Sequence, residues 1–149
     1  EKIAHFCNEK GNLITQNIDT LDTKAGNQHV TEFHGNLYNI YCTKCHQPVS
    51  YEEYAKSYLH KDCSGIIRPG IVLYGENIDP KVLNQSVEIM QKSDLIIICG
   101  TSFVVYPFAQ LLAYRKEYAK IYSINKTEIP TPGVTQIIGD ALTAFQNLN

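Results

Sequence analysis

The sequence predicts an α/β fold with a parallel sheet and a small metal-held insert, and three observations predict it. Asp94-Leu95-Ile96-Ile97-Ile98-Cys99 contains an unbroken apolar run, the pattern of a strand covered on both faces. Beyond residue 70, strand-like runs alternate with helix-length segments, which is how βαβ units read. Between Leu37 and about Ile67 the composition shifts to Tyr, Cys, His, Lys and Gln with little periodicity. Such a stretch cannot build its own hydrophobic core and needs another staple, for which metal is the obvious candidate.

Taken in order, residues 1 to 9 read as the end of a helix stopped by Gly11-Asn12, and Leu13-Ile14-Thr15 as a short buried strand. A polar loop follows, then the insert. The sequence becomes regular again at Ile71-Val72-Leu73-Tyr74, with a break at Gly75. Asp79-Pro80 is a good helix start, with Asp79 as N-cap and Pro80 in the first turn, and Leu83, Val87 and Met90 recur at i, i+4 and i+7. The apolar strand over Leu95 to Cys99 comes next. A second helix is expected from near Pro107 through Leu111, Leu112 and Tyr118, then strands over Ile121 to Ile124 and Val134 to Ile138, and a closing helix over Ala141 to Leu148.

Composition narrows the function classes. With 149 residues, 44% of them apolar, and a net charge of 13 − 15 = −2, the chain suits one globular domain. It lacks the basic field that non-specific nucleic-acid binding requires, so direct nucleic-acid binding and membrane-surface binding are disfavoured. Its longest apolar runs fall far short of the roughly 20 residues that cross a bilayer, and no signal peptide is visible. Five cysteines is an odd number, and their placement beside histidines fits metal ligation in a reducing, intracellular compartment better than a disulfide framework. The only methionine is Met90 and the chain opens at Glu1, so it reads as part of a longer translation product.

The sharpest chemical signal is Cys42-x2-Cys45 followed by His60-x2-Cys63. Each pair closes a tight turn around one ion, and residues 46–59 are enough chain to bring the second pair back, giving a tetrahedral Cys3His site. Protein fills all four positions, so the zinc is structural rather than catalytic; His46 is the alternative fourth ligand, though its adjacency to Cys45 makes a shared tetrahedron awkward. Gly100-Thr101-Ser102 sits at the carboxyl end of the most apolar strand, where open α/β sheets bind ligands and a following helix offers N–H donors. Thr15-Gln16-Asn17-Ile18-Asp19 places further polar groups after a strand. His34, beside Gly35, has the side chain best suited to proton transfer near neutrality. Taken singly, these last three also describe ordinary turns and solvated loops.

Their order along the chain is more specific. Thr15 to Asp19 with Leu21 and Ala25-Gly26, then His34-Gly35, the paired metal ligands, Arg68-Pro69 leading to Val72-Leu73-Tyr74-Gly75-Glu76, Gly100-Thr101-Ser102 with Val105 and Pro107, Ile124-Asn125, and Gly139-Asp140-Ala141 together resemble the sirtuin family of NAD-dependent protein deacylases. The likeness runs over nearly the whole chain. It implies a Rossmann-like NAD-binding domain over 1–36 and 68–149, a small zinc-binding module over 37–67, and NAD and structural zinc as cofactors. It also implies an acylated-lysine protein or peptide substrate that adds as a strand between the two parts.

By the same resemblance His34 would be the general base. Gln16, Asn17 and Asp19 would hold nicotinamide and its ribose, and Gly100, Thr101 and Ser102 the phosphates and ribose. Asn125 would meet the adenosine ribose, Asp140 and Ala141 the adenine edge, and Val72, Leu73, Tyr74, Gly75 and Glu76 the substrate strand. The implied reaction moves the acyl group from lysine to ADP-ribose with release of nicotinamide. Two positions depart from the family pattern: Asp22 stands where histidine is usual, and His60 where cysteine is usual. The family's glycine-rich first turn and first strand belong upstream of residue 1, and no G-x-G-x-x-G occurs in these residues. These residues alone are therefore expected to bind NAD weakly or not at all. The alternative reading is an inactive sirtuin-like protein that serves as a structural or binding subunit of a larger assembly.

Overall fold

The computed structural model describes residues 1–147. Helix α1 covers Lys2–Lys10, and the Gly11 N–H closes it on the Cys7 carbonyl at 3.1 Å. Strand β1, Leu13–Thr15, pairs in parallel with β2, Val30–Glu32, and the short helix α2, Leu21–Lys24, lies in the connection. Strand β3, Gly35–Cys42, pairs antiparallel with β4, Ile67–Ile71. Between them lies α3, Tyr51–Lys56, whose N-cap Ser50 accepts the Glu53 N–H. A third, three-stranded parallel sheet has the order β5-β6-β7, with β5 Leu95–Cys99, β6 Lys120–Asn125 and β7 Thr135–Ile138.

The helix expected from Asp79-Pro80 is α4, Pro80–Lys92, with the Asp79 carboxylate accepting the Lys81 N–H at 2.8 Å. The segment after Pro107 is a 3-10 helix over Phe108–Tyr114 rather than an α-helix reaching Tyr118. Phe108 and Leu111 are buried three residues apart on the inward face, the spacing that a 3-10 helix aligns. It stops where both the backbone N–H and the guanidinium of Arg115 donate to the Leu112 carbonyl. Helix α5, Ala141–Gln146, closes the described chain, and Leu148, the expected end of that helix, lies outside the described residues.

Three further expectations need correction. The strand over Leu95 to Cys99 is not covered on both faces. Among the described residues it is hydrogen-bonded to β6 alone, and Leu95 and Ile97 are 54% and 45% exposed on its outer face while Ile98 faces the core. The insert is more regular than its composition implied, because β3 runs through its first residues. A bulge between Asn36 and Ile40 breaks the alternation that would have revealed that strand; there the Asn36 carboxamide oxygen accepts the N–H groups of Tyr38 and Asn39. The regular segment expected to begin at Ile71 instead ends there, and Val72 to Gly75 form a turn.

The core joins Phe33, Ile78, Met90, Ile98, Phe103, Phe108, Leu111, Leu112, Ile121 and Ile129. Its centre is aromatic. Phe33, 1% exposed, meets Phe108 edge-on with ring centroids 5.2 Å apart, and Phe108 meets Phe103 at 5.9 Å. Because Phe33 precedes His34, this rigid cluster sets where the His34 ring stands.

Candidate functional site

Two clefts lie at the carboxyl ends of the parallel strands, where α/β sheets place ligands. The first, of about 390 Å³, is lined by Gly100, Thr101 and Ser102 after β5, by Ile124 to Thr127 at the end of β6, and by Gly139, Asp140 and Ala141 after β7. The second, of about 620 Å³, is lined by Gln16 to Asp19 after β1, by His34, by Ile71 to Glu76 after β4, and by Ile78 and Val105 to Pro107. Every residue expected to contact cofactor or substrate therefore borders one of the two clefts. The clefts thus bring together residues far apart in sequence.

A hydrogen-bond relay joins the clefts. The Thr101 hydroxyl donates to Gln16 Oε1 at 3.2 Å, and the Thr101 N–H donates to Asn125 Oδ1 at 3.1 Å. The same hydroxyl accepts the Phe103 N–H at 3.1 Å, which ties the relay to the core. Asn125 is only 8% exposed, and its Nδ2 is buried without a partner among the described residues. A buried amide donor left unpaired is unfavourable, so an oxygen-rich ligand in the first cleft suits it. The opposing carboxylates serve partly as caps: Asp140 Oδ1 accepts the Thr143 N–H at 3.2 Å, and Asp19 Oδ1 accepts the Leu21 N–H at 3.0 Å. Asp22 lies in α2, where burial first and the Asp19 charge second push its carboxyl up.

In the second cleft, His34 is half-buried and packs edge-on against Phe33, with ring centroids 5.4 Å apart. Its carbonyl accepts the Val72 N–H at 2.9 Å. Gly35 follows in the left-handed region at φ +70, and a Cβ there would lie 1.9 Å from the Gly70 carbonyl oxygen. Glycine is thus required where β3 begins against β4. The Val72 to Glu76 turn is held from within. Arg68 grips both Glu76 oxygens, donating from Nη2 to Oε2 at 2.9 Å and also to the Ile71 carbonyl at 2.8 Å. Leu73 N–H donates to Glu76 Oε2 at 2.9 Å, and Glu76 N–H donates to the Leu73 carbonyl at 3.0 Å. The Arg68 hydrogen bond, then the Leu73 N–H, hold the Glu76 carboxyl down at about 2. Among the described residues, no hydrogen bond uses the Tyr74 or Gly75 peptide groups or the Val72 carbonyl, and Tyr74 stands fully exposed.

Away from the clefts, Cys42, Cys45, His60 and Cys63 converge, with ligand atoms all within 4.8 Å of one another. Cys42 Sγ lies 3.4 Å from Cys63 Sγ, and His60 Nδ1 lies 3.3 Å from Cys63 Sγ and 3.4 Å from Cys45 Sγ. A tetrahedral zinc would give S···S edges of about 3.8 Å and S···N edges of about 3.5 Å, so the donors fit such an ion. His60, not His46, supplies the nitrogen. The two ligand pairs are matching turns. His46 N–H donates to the Cys42 carbonyl and Ser64 N–H to the His60 carbonyl, and His46 and Ser64 take φ 59 and φ 55. Burial pushes the Cys42 thiol up, but the N–H groups of Cys45 and Lys44 outweigh it and hold it down at about 7. Sequence reasoning missed Gly65, where a Cβ would lie 2.5 Å from Cys42 Sγ; only the folded turn shows that crowding.

The Sir2 family model matches residues 4–107. This chain belongs to the Sir2 family. An NAD-dependent protein deacetylase of Listeria monocytogenes serovar 1/2a is 43% identical over 150 residues, covering 99% of this chain and 66% of that protein. One from Lactiplantibacillus plantarum is 44% identical over 140 residues, covering 93% and 60%. Among solved structures, Sir2 with a p53 peptide and NAD+ superimposes with a TM-score of 0.91 at 30% identity, covering 97% of this chain and 65% of that one. Sir2 with the inhibitor EX-527, 2'-O-acetyl-ADP-ribose and deacetylated p53 peptide gives 0.90 at 31% identity, covering 97% and 66%. The chain thus spans just under two thirds of the length of these relatives. Its fold is the sirtuin fold: a Rossmann-like parallel sheet with a cluster of zinc-type ligands carried beside it.

Proposed function

We propose that this chain carries the cofactor and substrate clefts of an NAD-dependent protein lysine deacylase, with His34 as general base. The observation that supports this most is the Thr101 relay, which couples the Asn125 side of one cleft to the Gln16 side of the other and so suits a single elongated ligand with polar groups at both ends. Bound NAD would supply a glycosidic bond to nicotinamide that breaks as the acyl oxygen of lysine takes its place, and water would then release the amine, so that free lysine, nicotinamide and acylated ADP-ribose are the products.

The chain's own residues divide the remaining work. Asn125 Nδ2 donates to a ribose oxygen in the first cleft, beside Gly100 and Ser102, while Asp140 and Ala141 border the adenine end. Thr101 fixes the Gln16 carboxamide, and Gln16, Asn17 and Asp19 orient the nicotinamide end by amide and carboxylate pairing. His34, held against Phe33 at the border of the second cleft, accepts a ribose hydroxyl proton. Val72 to Glu76 form the floor for an acylated-lysine peptide. The Arg68–Glu76 pair shapes that turn, leaving the exposed Tyr74 and Gly75 peptide groups and the Val72 carbonyl to pair with a substrate strand. Cys42, Cys45, His60 and Cys63 hold zinc in a structural role over 37–67. We place the protein inside the cell, because Cys42, Cys45 and Cys63 gather with His60 as a metal-ligand set of the kind a reducing compartment favours.

The test is nicotinamide release from NAD in the presence of an acetyl-lysine peptide. His34→Ala in the active protein should lower the rate at least about 100-fold, the scale of general-base loss. An unchanged rate would remove His34 from this role.

A further inference from the structure

We propose that Glu53 is the positioning residue of the metal site: it holds the His60 ring proton on Nε2 and so keeps Nδ1 free as the fourth ligand beside three cysteine thiolates. The proposal rests on the Cys3His reading of the cluster and adds to it a residue from outside the ligand set. The two nitrogens of the buried His60 ring face different surroundings. His60 Nδ1 lies among sulfurs, 3.3 Å from Cys63 and 3.4 Å from Cys45, whereas Nε2 faces carboxylates, 3.9 Å from Glu53 Oε1 and 3.7 Å from Asp62 Oδ2. A neutral imidazole carries one proton, and the nitrogen that ligates must be the bare one. A carboxylate beside Nε2 stabilises the tautomer with its proton there.

Of the two carboxylates, Glu53 is the one built into the site. Among the described residues its Oε1 is buried with no hydrogen-bond partner, while the Asp62 side chain is 71% exposed. Burying an unpaired carboxylate oxygen is unfavourable, and the group placed next to it is the His60 ring. The local sequence offered Glu53 another use. Ser50-Tyr51-Glu52-Glu53 has the S-x-x-E spacing of a capping box, in which the glutamate turns back to the N-cap N–H. The first half of the box forms, with Glu53 N–H donating to Ser50 Oγ at 3.2 Å. The second half does not: Glu53 Oε2 lies 3.6 Å from Lys61 Nζ and Oε1 is turned toward His60. At 3.9 Å the contact orients the ring by charge and dipole rather than by a direct hydrogen bond. A cysteine at position 60 would have no tautomer to fix, so the role of Glu53 exists only because this chain carries histidine there.

That dependence supplies the test. Zinc affinity is measured by competition with a chromophoric chelator for the chain and for Glu53→Gln, His60→Cys and the double variant. Glu53→Gln should weaken zinc binding by about 10–100-fold where His60 is present, and by less than about twofold in the His60→Cys background. Asp62→Asn should leave affinity unchanged. The 15N ring shifts of the zinc-loaded chain should show Nε2 protonated and Nδ1 bound, a readout that holds even where Glu53→Gln fails to fold. Equal losses in both backgrounds, no loss in either, a loss confined to Asp62→Asn, or a ring bound through Nε2 would each overturn the proposal. A chain that takes up no zinc at all would overturn the metal reading itself.

Discussion

Both carboxylate oxygens of Glu76 are engaged inside the chain, by Arg68 and by the Leu73 N–H, and this single ion pair fixes the turn proposed to receive the substrate. The pair has a definite pH signature. The Glu76 carboxyl falls from its ordinary 4.5 to about 2 in the folded chain. As acid is added the unfolded chain therefore takes up this proton first, so the contribution is complete above about 4.5 and is lost as pH falls through about 2. Urea midpoints of the wild type and Glu76→Gln should differ near neutrality and converge across that window; a constant gap would mean that the pair is not the source. Solvent exposure keeps the effect modest. At this scale only residue types were legible beforehand. The resemblance implied a substrate role for Glu76, which lines the second cleft, but its partner Arg68 is set by how the turn after β4 folds back, which no spacing reveals.

At the scale of elements, the strongest link between core and site is the stretch from β2 into β3. Phe33 anchors it in the aromatic cluster, His34 follows into the cleft, and Gly35 lets β3 pass within a Cβ's reach of Gly70. Phe33→Ala should cost about 3–5 kcal/mol of unfolding free energy, the range for an aromatic removed from a packed core, as read by urea denaturation. A loss below about 1 kcal/mol would contradict the packing described. Elements with strong local signals were legible: Asp79 and Pro80 announce α4, and the run at Leu95 announces β5. The bulged β3 was hidden, because Leu37, Tyr38 and Asn39 are consecutively exposed and no alternation survives. The 3-10 helix was misjudged for a different reason. Its apolar spacing suits either helix type, and the Arg115 bonds that end it are tertiary detail.

For the whole molecule, the parallel sheets and the metal-ligand module answer different stability problems. The sheets share an apolar core, whereas the stretch between β3 and β4 is organised around Cys42, Cys45, His60 and Cys63, with Tyr51, Tyr58 and Ile66 left exposed. Zinc removal by a strong chelator should therefore loosen residues 43–66 first, seen as early proteolytic cleavage there, while the β5-β6-β7 sheet keeps its amide protection. Simultaneous loss of both would contradict that division. The ligand spacing was fully legible in the sequence, and so was the grouping of Gly100, Asn125 and Asp140 at strand ends. What the sequence did not contain was the contact that unites the clefts, since Thr101 and Gln16 stand 85 residues apart and meet only in the folded chain.

The most direct test of that union is a titration of the isotope-labelled chain with NAD, followed residue by residue in 1H–15N spectra. Weak binding suffices for this readout. One saturating event should shift Thr101, Asn125 and Asp140 together with Gln16 and His34, and Thr101→Val should uncouple the two groups. NAD that moves neither group at saturation, or that moves the Asn125 side while His34 stays still, would contradict that union.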